Sequence, residues 1–336
     1  MDIVRSWREA PPDQKGAVLA IGNFDGVHRG HQAVLGVAKA IAAAEGRRTG
    51  AVIFEPHPRE FFAPDRPFFR LTPLPVKLEL LEALGLDVGF VLPFDRALAD
   101  LSADAFAADV LGRAFGARHV VVGYDFVYGK GRTGTVTHLA ATGEALGYGV
   151  DVVEPVQLEG TTVFASSAIR EHLSKGRVRE AAEQLGYWWR ARGAVARGAG
   201  RGQGLGFPTV NFKLLPGQDV CHGIYAMRVH HAGGRHDAAG YVGPRPTFGA
   251  GEPALEAFLF DFSGDLYDQT IEVEFIDFIR PDQTFPSGAA LAAQMEKDCN
   301  AARAVLAAVA ADDPMRQFPL GAALAARALD CGQPGC

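Results

Sequence analysis

The chain has 336 residues, 48% hydrophobic and 21% charged, and its 33 basic and 39 acidic side chains give a net charge of −6. That length predicts about two domains of ~150 residues each, with enough chain for a core in both. The acidic balance argues against long nucleic-acid partners, whose phosphates call for a basic surface, and apolar runs such as 17–22 and 117–123 are too short to span a bilayer.

Residues 1–15 are polar, with Pro11 and Pro12 where a signal peptide needs an apolar stretch. An apolar run at 17–22 predicts a strand, followed by a Gly-containing turn and a helix over 31–45. Strand, helix, strand, helix and strand are then expected at 50–54, 75–84, 88–92, 103–115 and 118–123. A helix at 135–146 and a strand at 149–154 follow. These strands are continuous apolar runs, so both faces must be covered. That predicts an α/β fold, a parallel sheet with helices on both faces. Ligands of such sheets bind beyond the carboxyl ends of the strands.

From about Gly186 the pattern changes. Segments 192–197, 223–231, 236–243, 254–262 and 269–278 read as strands, several with apolar and polar residues alternating, and predict a small antiparallel β-barrel. A helix over 287–311 closes it. On that strand pattern Glu272 and Glu274 belong to a solvated face. The expected domains are 1–185 and 186–311, with a partly disordered tail over 312–336. Cysteines at 221, 299, 331 and 336 match neither a zinc ribbon nor a thioredoxin-like pair, and read as reduced thiols of a cytoplasmic protein.

Two constellations carry chemistry. In the first, IGNFDGVHRGH (21–31), a strand enters a glycine-containing turn and a helix begins near His31. His28 and His31 are three apart, so both rings can face one way on a first helical turn, where free N–H groups already favour an anion. Gly30 between them lets a phosphate approach the backbone. Two surface histidines, or half of a metal site, remain the other readings of the bare pair. Asn23 and Asp25 lie in the same turn, to shape it or to contact a ligand. Ser166, Ser167 and Arg170 offer two hydroxyls and a cation at a helix start, an N-cap or a second anion cradle. Asp125 follows a strand end, with Lys130 and Arg132 on the loop beyond it.

The second constellation is GAGRGQGLGFPTVN (198–211), which lacks the Gly-Lys-Ser/Thr end of a Walker loop. Thr209 and Asn211, two apart in an extended segment, present hard oxygens suited to Mg²⁺. Glu256 is a carboxylate on an otherwise apolar strand, which needs a purpose or a partner.

The HxGH turn resembles that of the nucleotidyltransferase superfamily, and GNFDGVHRGH resembles bacterial bifunctional riboflavin kinase/FAD synthetases. Further segments fit in order: VIFEPHPREFF (52–62), LTPLPVKLELLEALGLD (71–87), VVVGYDFVYGKGRTG (120–134) and SSAIREHLSKGRV (166–178), then GLGFPTVNF (204–212), RPTF (245–248), LEAFLFDFSGDLY (255–267) and FIRPDQTF (278–285).

The resemblance implies a nucleotidyltransferase-type first domain that adenylylates FMN with ATP, giving FAD and pyrophosphate. His28 and His31 would hold phosphates, Asn23, Asp25 and Gly30 would serve the nucleotide, Ser166, Ser167 and Arg170 the β- and γ-phosphates, and Asp125 the flavin. It implies a barrel that phosphorylates riboflavin with ATP, with Gly202 and Gly206 on the nucleotide, Thr209 and Asn211 on Mg²⁺, and Glu256 as base. ATP is thus co-substrate, FMN and FAD are substrate and product, and neither nucleic acid nor membrane is a partner; oligomeric state is not legible.

Departures from the resemblance are Ala165 for a serine, Gln203 for a basic residue, Tyr241 for Asn or Ser, Asp268 for glycine, and 187–189 for an Arg-Pro-aromatic pattern. Adenylyl transfer alone beside a degenerate barrel, a non-catalytic flavin-responsive regulator, and transfer to another phosphate ester are the competing readings.

Overall fold

The apolar runs of the first half become strands whose side chains are buried on both faces, as continuous hydrophobicity requires. In this computed structural model, which describes residues 1–156, 163–196, 209–244 and 253–330, they are β1 (Asp2–Val4), β2 (Val18–Ile21), β3 (Thr49–Glu55), β4 (Val88–Pro93), β5 (His119–Gly123) and β6 (Gly149–Val153). All pair in parallel in the order β1-β4-β3-β2-β5-β6. The connecting helices are α1 (Arg29–Ala44), α2 (Pro58–Phe62), α3 (Leu74–Ala83), α4 (Arg96–Ala99), α5 (Ala103–Ala105) and α6 (Val136–Leu146); α5 runs on as a π-helical stretch, Phe106–Ala114. Leu19, Val52, Phe90 and Val120 of the sheet pack with Phe106, Val110 and Phe115 into one core. The expected strands all form, and β1 and α2 are additions too short to show periodicity.

The chain forms two compact units, Met1–Ser166 and Ser167–Cys336. The second unit opens with α7 (Ser166–Ser174), which spans the division, and α8 (Val178–Leu185), helices that the sequence reading grouped with the first domain. Then come β7 (Arg190–Ala194), β8 (Val210–Lys213), β9 (Gly223–His231), β10 (Gly234–Pro244), β11 (Pro253–Leu259), β12 (Thr270–Pro281) and α9 (Gly288–Ala311). The sheet is antiparallel, ordered β7-β12-β9-β10-β11-β8. It nearly closes on itself, since Ala196 N–H donates to the Asn211 carbonyl at 2.8 Å beyond the end of β7. Ala302, Leu306 and Val309 of α9 pack over one face of this barrel.

The reading of Glu272 and Glu274 as a solvated face is corrected. Both lie on β12 directly across from arginines: Glu274 opposes Arg190 on β7 and Arg228 on β9, and Glu272 opposes Arg192. Arg190 bonds both carboxylates at 2.6 Å, and Arg192 reaches Glu272 at 2.7 Å. The Glu274 side chain is 7% exposed. Alternation located the face correctly, but cross-strand arginines cover it in place of water. Part of the tail is ordered. Residues 314–317 form a 3₁₀ turn and α10 (Pro319–Asp330) follows, with Met315 and Leu320 buried. Asp313 anchors it by accepting from Trp188 Nε1 and Arg228, both at 3.0 Å. Residues 331–336 lie outside the described residues. Among the described residues, no helix is long and apolar enough to cross a membrane.

Burial alone would raise the Glu274 carboxyl, but Arg190, with His230 and Arg228, outweighs it and holds the group at about 2. A carboxylate depressed on folding stabilises above its unfolded pKa and loses that effect as pH falls toward the folded one. Glu274→Gln is therefore expected to destabilise the protein by ~3 kcal/mol at pH 7, the order found when one partner of a buried pair is removed. Denaturant melts should show that difference shrinking as pH falls from 4.5 toward 2.

Candidate active sites

The turn after β2 is held from a distant part of the chain. Asp25, buried to 3% exposure, accepts the N–H groups of Leu71 and Thr72 at 3.2 and 3.1 Å. The Thr72 hydroxyl donates to the same carboxylate at 3.4 Å and accepts Gly26 N–H at 2.9 Å. Lys77, the buried cation of α3, donates to the Asn23 carbonyl at 2.7 Å, and the Ser166 hydroxyl donates to the Asp25 carbonyl at 2.8 Å. Phe24 and Val27 take positive φ of 46° and 42° within this clamp. Side chains other than Gly rarely tolerate that without outside support. Of the two roles expected for Asp25, its bonds fit shaping the turn.

The clamped turn delivers the histidines. His28 is the N-cap of α1, its Nδ1 accepting His31 N–H at 3.3 Å, so in the neutral ring the proton sits on Nε2. The two rings stack with centroids 3.6 Å apart and planes 19° apart. A Cβ at Gly30 would come within 3.2 Å of the His28 ring, a tight contact that the ring would have to yield to. Nδ1 of His31 and Oδ1 of Asn23 are buried with no hydrogen-bond partner. Such groups cost about 1–3 kcal/mol each unless a ligand meets them. Burial, with His28 and the Lys77 ammonium adding to it, holds the His31 imidazole well below its ordinary range. The His31 ring is thus held neutral beside the free N–H groups of a helix start.

Beyond the ends of β3 and β4 lies a feature that sequence reasoning missed. Arg70 bonds Glu55 at the end of β3 through Nη1 at 2.7 Å and Glu60 of α2 through Nε at 2.8 Å, fixing the short helix that carries Phe61 and Phe62. Both rings lie edge-on to Phe94, at 5.3 and 5.8 Å, and Phe62 is 63% exposed. The FF pair in PHPREFF was the signal: two adjacent aromatics on a five-residue helix cannot both be core. Lys77 was legible only as a lone cation among the leucines of α3.

Asp125 is exposed just past β5, where it was expected. Lys130 on the loop beyond pairs with Asp100 at 3.0 Å. Ser167 is exposed and Arg170 half-buried on the first turns of α7.

In the barrel, Asn211 on β8 stands directly across from Glu256 on β11. Antiparallel neighbours in register share a face, with Cβ atoms ~5 Å apart. Asn211 is buried, and its Oδ1 has no hydrogen-bond partner. Thr209 precedes it by two residues, half-buried at the entry to β8. Among the described residues there is no cluster of three or more His, Cys, Asp or Glu side chains able to hold a metal by themselves. An orphaned amide oxygen beside a hydroxyl fits a hard cation that takes its other ligands from water and phosphate. Gly202, Gln203 and Gly206 lie outside the described residues. Asp268 has φ of 62°, which explains glycine as the usual residue there and why Asp, tolerant of that region, can replace it.

Comparison with known proteins agrees with this division. A sequence-family model described as FAD synthetase matches residues 10–167, and one described as riboflavin kinase matches 185–306. The chain is 37% identical over 308 residues to a bifunctional riboflavin kinase/FMN adenylyltransferase of Pseudomonas fluorescens, covering 91% of this chain and 98% of the relative. The protein of the same description from Listeria monocytogenes is 35% identical over 293 residues, covering 86% and 92%. A crystal structure described as a macrolide-efflux protein from Streptococcus pneumoniae superposes with a TM-score of 0.81 at 28% identity, over 90% of this chain and 99% of that one.

The depressed His31 pKa has a consequence for stability. The unfolded chain takes up a proton near pH 6.5 that the folded ring refuses, so stability falls as pH drops through that value. Thermal melts of the wild type and His31→Gln between about pH 7.5 and 5.5 should converge toward acid as the wild type loses ground. Parallel pH slopes would mean that His31 titrates normally.

Proposed function

The chain belongs to the bifunctional riboflavin kinase/FMN adenylyltransferase family, and on that premise we propose how its residues divide the two reactions. The enzyme phosphorylates riboflavin to FMN with ATP in the barrel and adenylylates FMN to FAD with ATP, releasing pyrophosphate, in the parallel-sheet domain.

Adenylyl transfer is an in-line displacement: an oxygen of the FMN phosphate attacks the α-phosphorus of ATP and pyrophosphate leaves. The nucleophile comes with the substrate, so the protein's work is positioning and stabilising charge on the phosphates. The stacked His28 and His31 donate to phosphate oxygens at the start of α1. Asn23 presents its unpaired oxygen to the nucleotide, and Asp25, Thr72 and Lys77 hold the turn that aims them. Ser167 and Arg170 serve the β- and γ-phosphates by their position in the family pattern. Asp125 lies past the strand ends, where a flavin contact belongs. The exposed Phe62, backed by Phe61 and Phe94, suits the flat isoalloxazine ring.

In the kinase reaction Glu256 accepts the proton of the ribityl 5′-hydroxyl as that oxygen attacks the γ-phosphorus and ADP departs. Thr209 and Asn211 would hold Mg²⁺, which when bound neutralises charge on the transferring phosphates. The observation that carries this reading is the register pairing of Asn211 with Glu256, which sets a metal-suited oxygen and a base side by side.

The test is chromatographic, resolving riboflavin, FMN and FAD over time with ATP and Mg²⁺. His28→Ala is expected to accumulate FMN from riboflavin while making no FAD. Glu256→Gln is expected to lose phosphorylation by ~10²–10⁴-fold, the usual contribution of a general base, while still turning added FMN into FAD. Loss of both activities in either folded variant would overturn the assignment of separate sites.

A further inference from the structure

Tyr241 stands on β10 directly across from Glu256, which in turn stands across from Asn211, so the three side chains form one row on a single face of the sheet. Ala239 and Phe258, two residues along on that face, pack on the cluster that includes Ala302 and Leu306 of α9. The row is therefore on the side of the barrel that α9 covers. Tyr241 is half-buried. Its hydroxyl donates to Asp282 Oδ2 at 3.0 Å, just past the end of β12. Two residues before Asp282, Arg280 forks onto Asp298 of α9 at 2.9 and 2.7 Å. A Cβ at Gly243 would sit 2.1 Å from the Tyr241 hydroxyl, so the phenol lies along its own strand over a position that has to lack a side chain.

The order of the row has a chemical meaning. In-line transfer puts the attacking and leaving oxygens on opposite sides of the γ-phosphorus. With the metal–nucleotide ligands on the Asn211 side of the base, the acceptor alcohol must approach from the other side. Tyr241 occupies that side. It presents a flat aromatic face whose polar tip is already bonded to Asp282, and a flavin offers the complementary flat ring at the far end of its ribityl chain.

We propose that Tyr241 is a specificity-determining residue of the kinase reaction, a preset aromatic wall that seats the flavin acceptor beside Glu256. This rests on the reading of Asn211 and Glu256 given above.

The experiment uses the full chain and varies riboflavin and ATP separately in steady-state phosphorylation by Tyr241→Phe, Tyr241→Ser and Glu256→Gln, with riboflavin binding followed by fluorescence quenching. Tyr241→Ser, which removes the wall, should raise the riboflavin KM and Kd about fivefold, the order of one lost aromatic contact, and leave the ATP KM within about twofold. Tyr241→Phe keeps the fold-determining volume and frees the ring from Asp282. It should raise the riboflavin KM about twofold, again with the ATP KM unmoved. An unchanged riboflavin KM in both variants, or an ATP KM rising in parallel, would overturn the proposal. Full kcat in Glu256→Gln would instead remove the base assignment, and the riboflavin KM of the Tyr241 variants would still decide the wall.

Discussion

A buried carboxylate holds the first site together. Asp25 is taken out of water and repaid by two backbone N–H groups and a hydroxyl from residues 71 and 72, more than forty positions away. Those bonds fix a turn whose Phe24 and Val27 backbones sit in the left-handed region, a conformation costing of order 1–3 kcal/mol per residue when unsupported. Everything downstream inherits that geometry: the start of α1, the His28 cap, the stacking of His31 on it, and the Ser166 hydroxyl that ties the beginning of α7 to the same turn. Lys77 adds a cation behind the turn, which with burial keeps His31 neutral and able to donate. A site that works by positioning needs such rigidity, because a displacement of ~1 Å can cost a hundredfold in rate.

The barrel reaches the same end by register. Strand pairing alone sets Asn211, Glu256 and Tyr241 in a row. A second set of opposed residues, Arg190 and Arg192 against Glu272 and Glu274, uses the same rule for structure. Both sets depend on period-2 alternation, and a slip of one residue would turn Glu272, Glu274 and Glu256 alike to the other face. The buried ion pairs thus specify the pairing of the edge strand β7 with β12, and the row of Asn211, Glu256 and Tyr241 lies on the strands toward the other edge.

Much of this was legible in the chain. Continuous apolar strands announced a covered parallel sheet, alternating ones a barrel, and GNFDGVHRGH and PTVN pointed to two candidate sites. What escaped notice was whatever depends on partners distant in sequence. Nothing local to Asp25 names Leu71 and Thr72, and nothing local to Glu272 and Glu274 shows that the RAR of β7 lies opposite EVE. Arg190, Ala191 and Arg192 alternate with the period of their partners, so that pairing was visible in principle once the strand order was known. In the tail, Pro314 and Pro319 open helical turns, where a missing N–H costs nothing, so proline content alone does not show which part of it is helical.

The buried clamp makes adenylyl transfer depend on a carboxylate that acts by holding a turn. The most direct measurement is the rate of FAD formation from FMN and ATP in Asp25→Asn, with phosphorylation of riboflavin measured on the same preparation. The amide keeps the size of the side chain but turns an NH₂ toward an N–H donor, so the clamp should open. FAD formation is expected to fall by ~100-fold while riboflavin phosphorylation stays at the wild-type rate. Wild-type FAD formation in that variant would contradict the account, since the turn would then hold its geometry without the clamp.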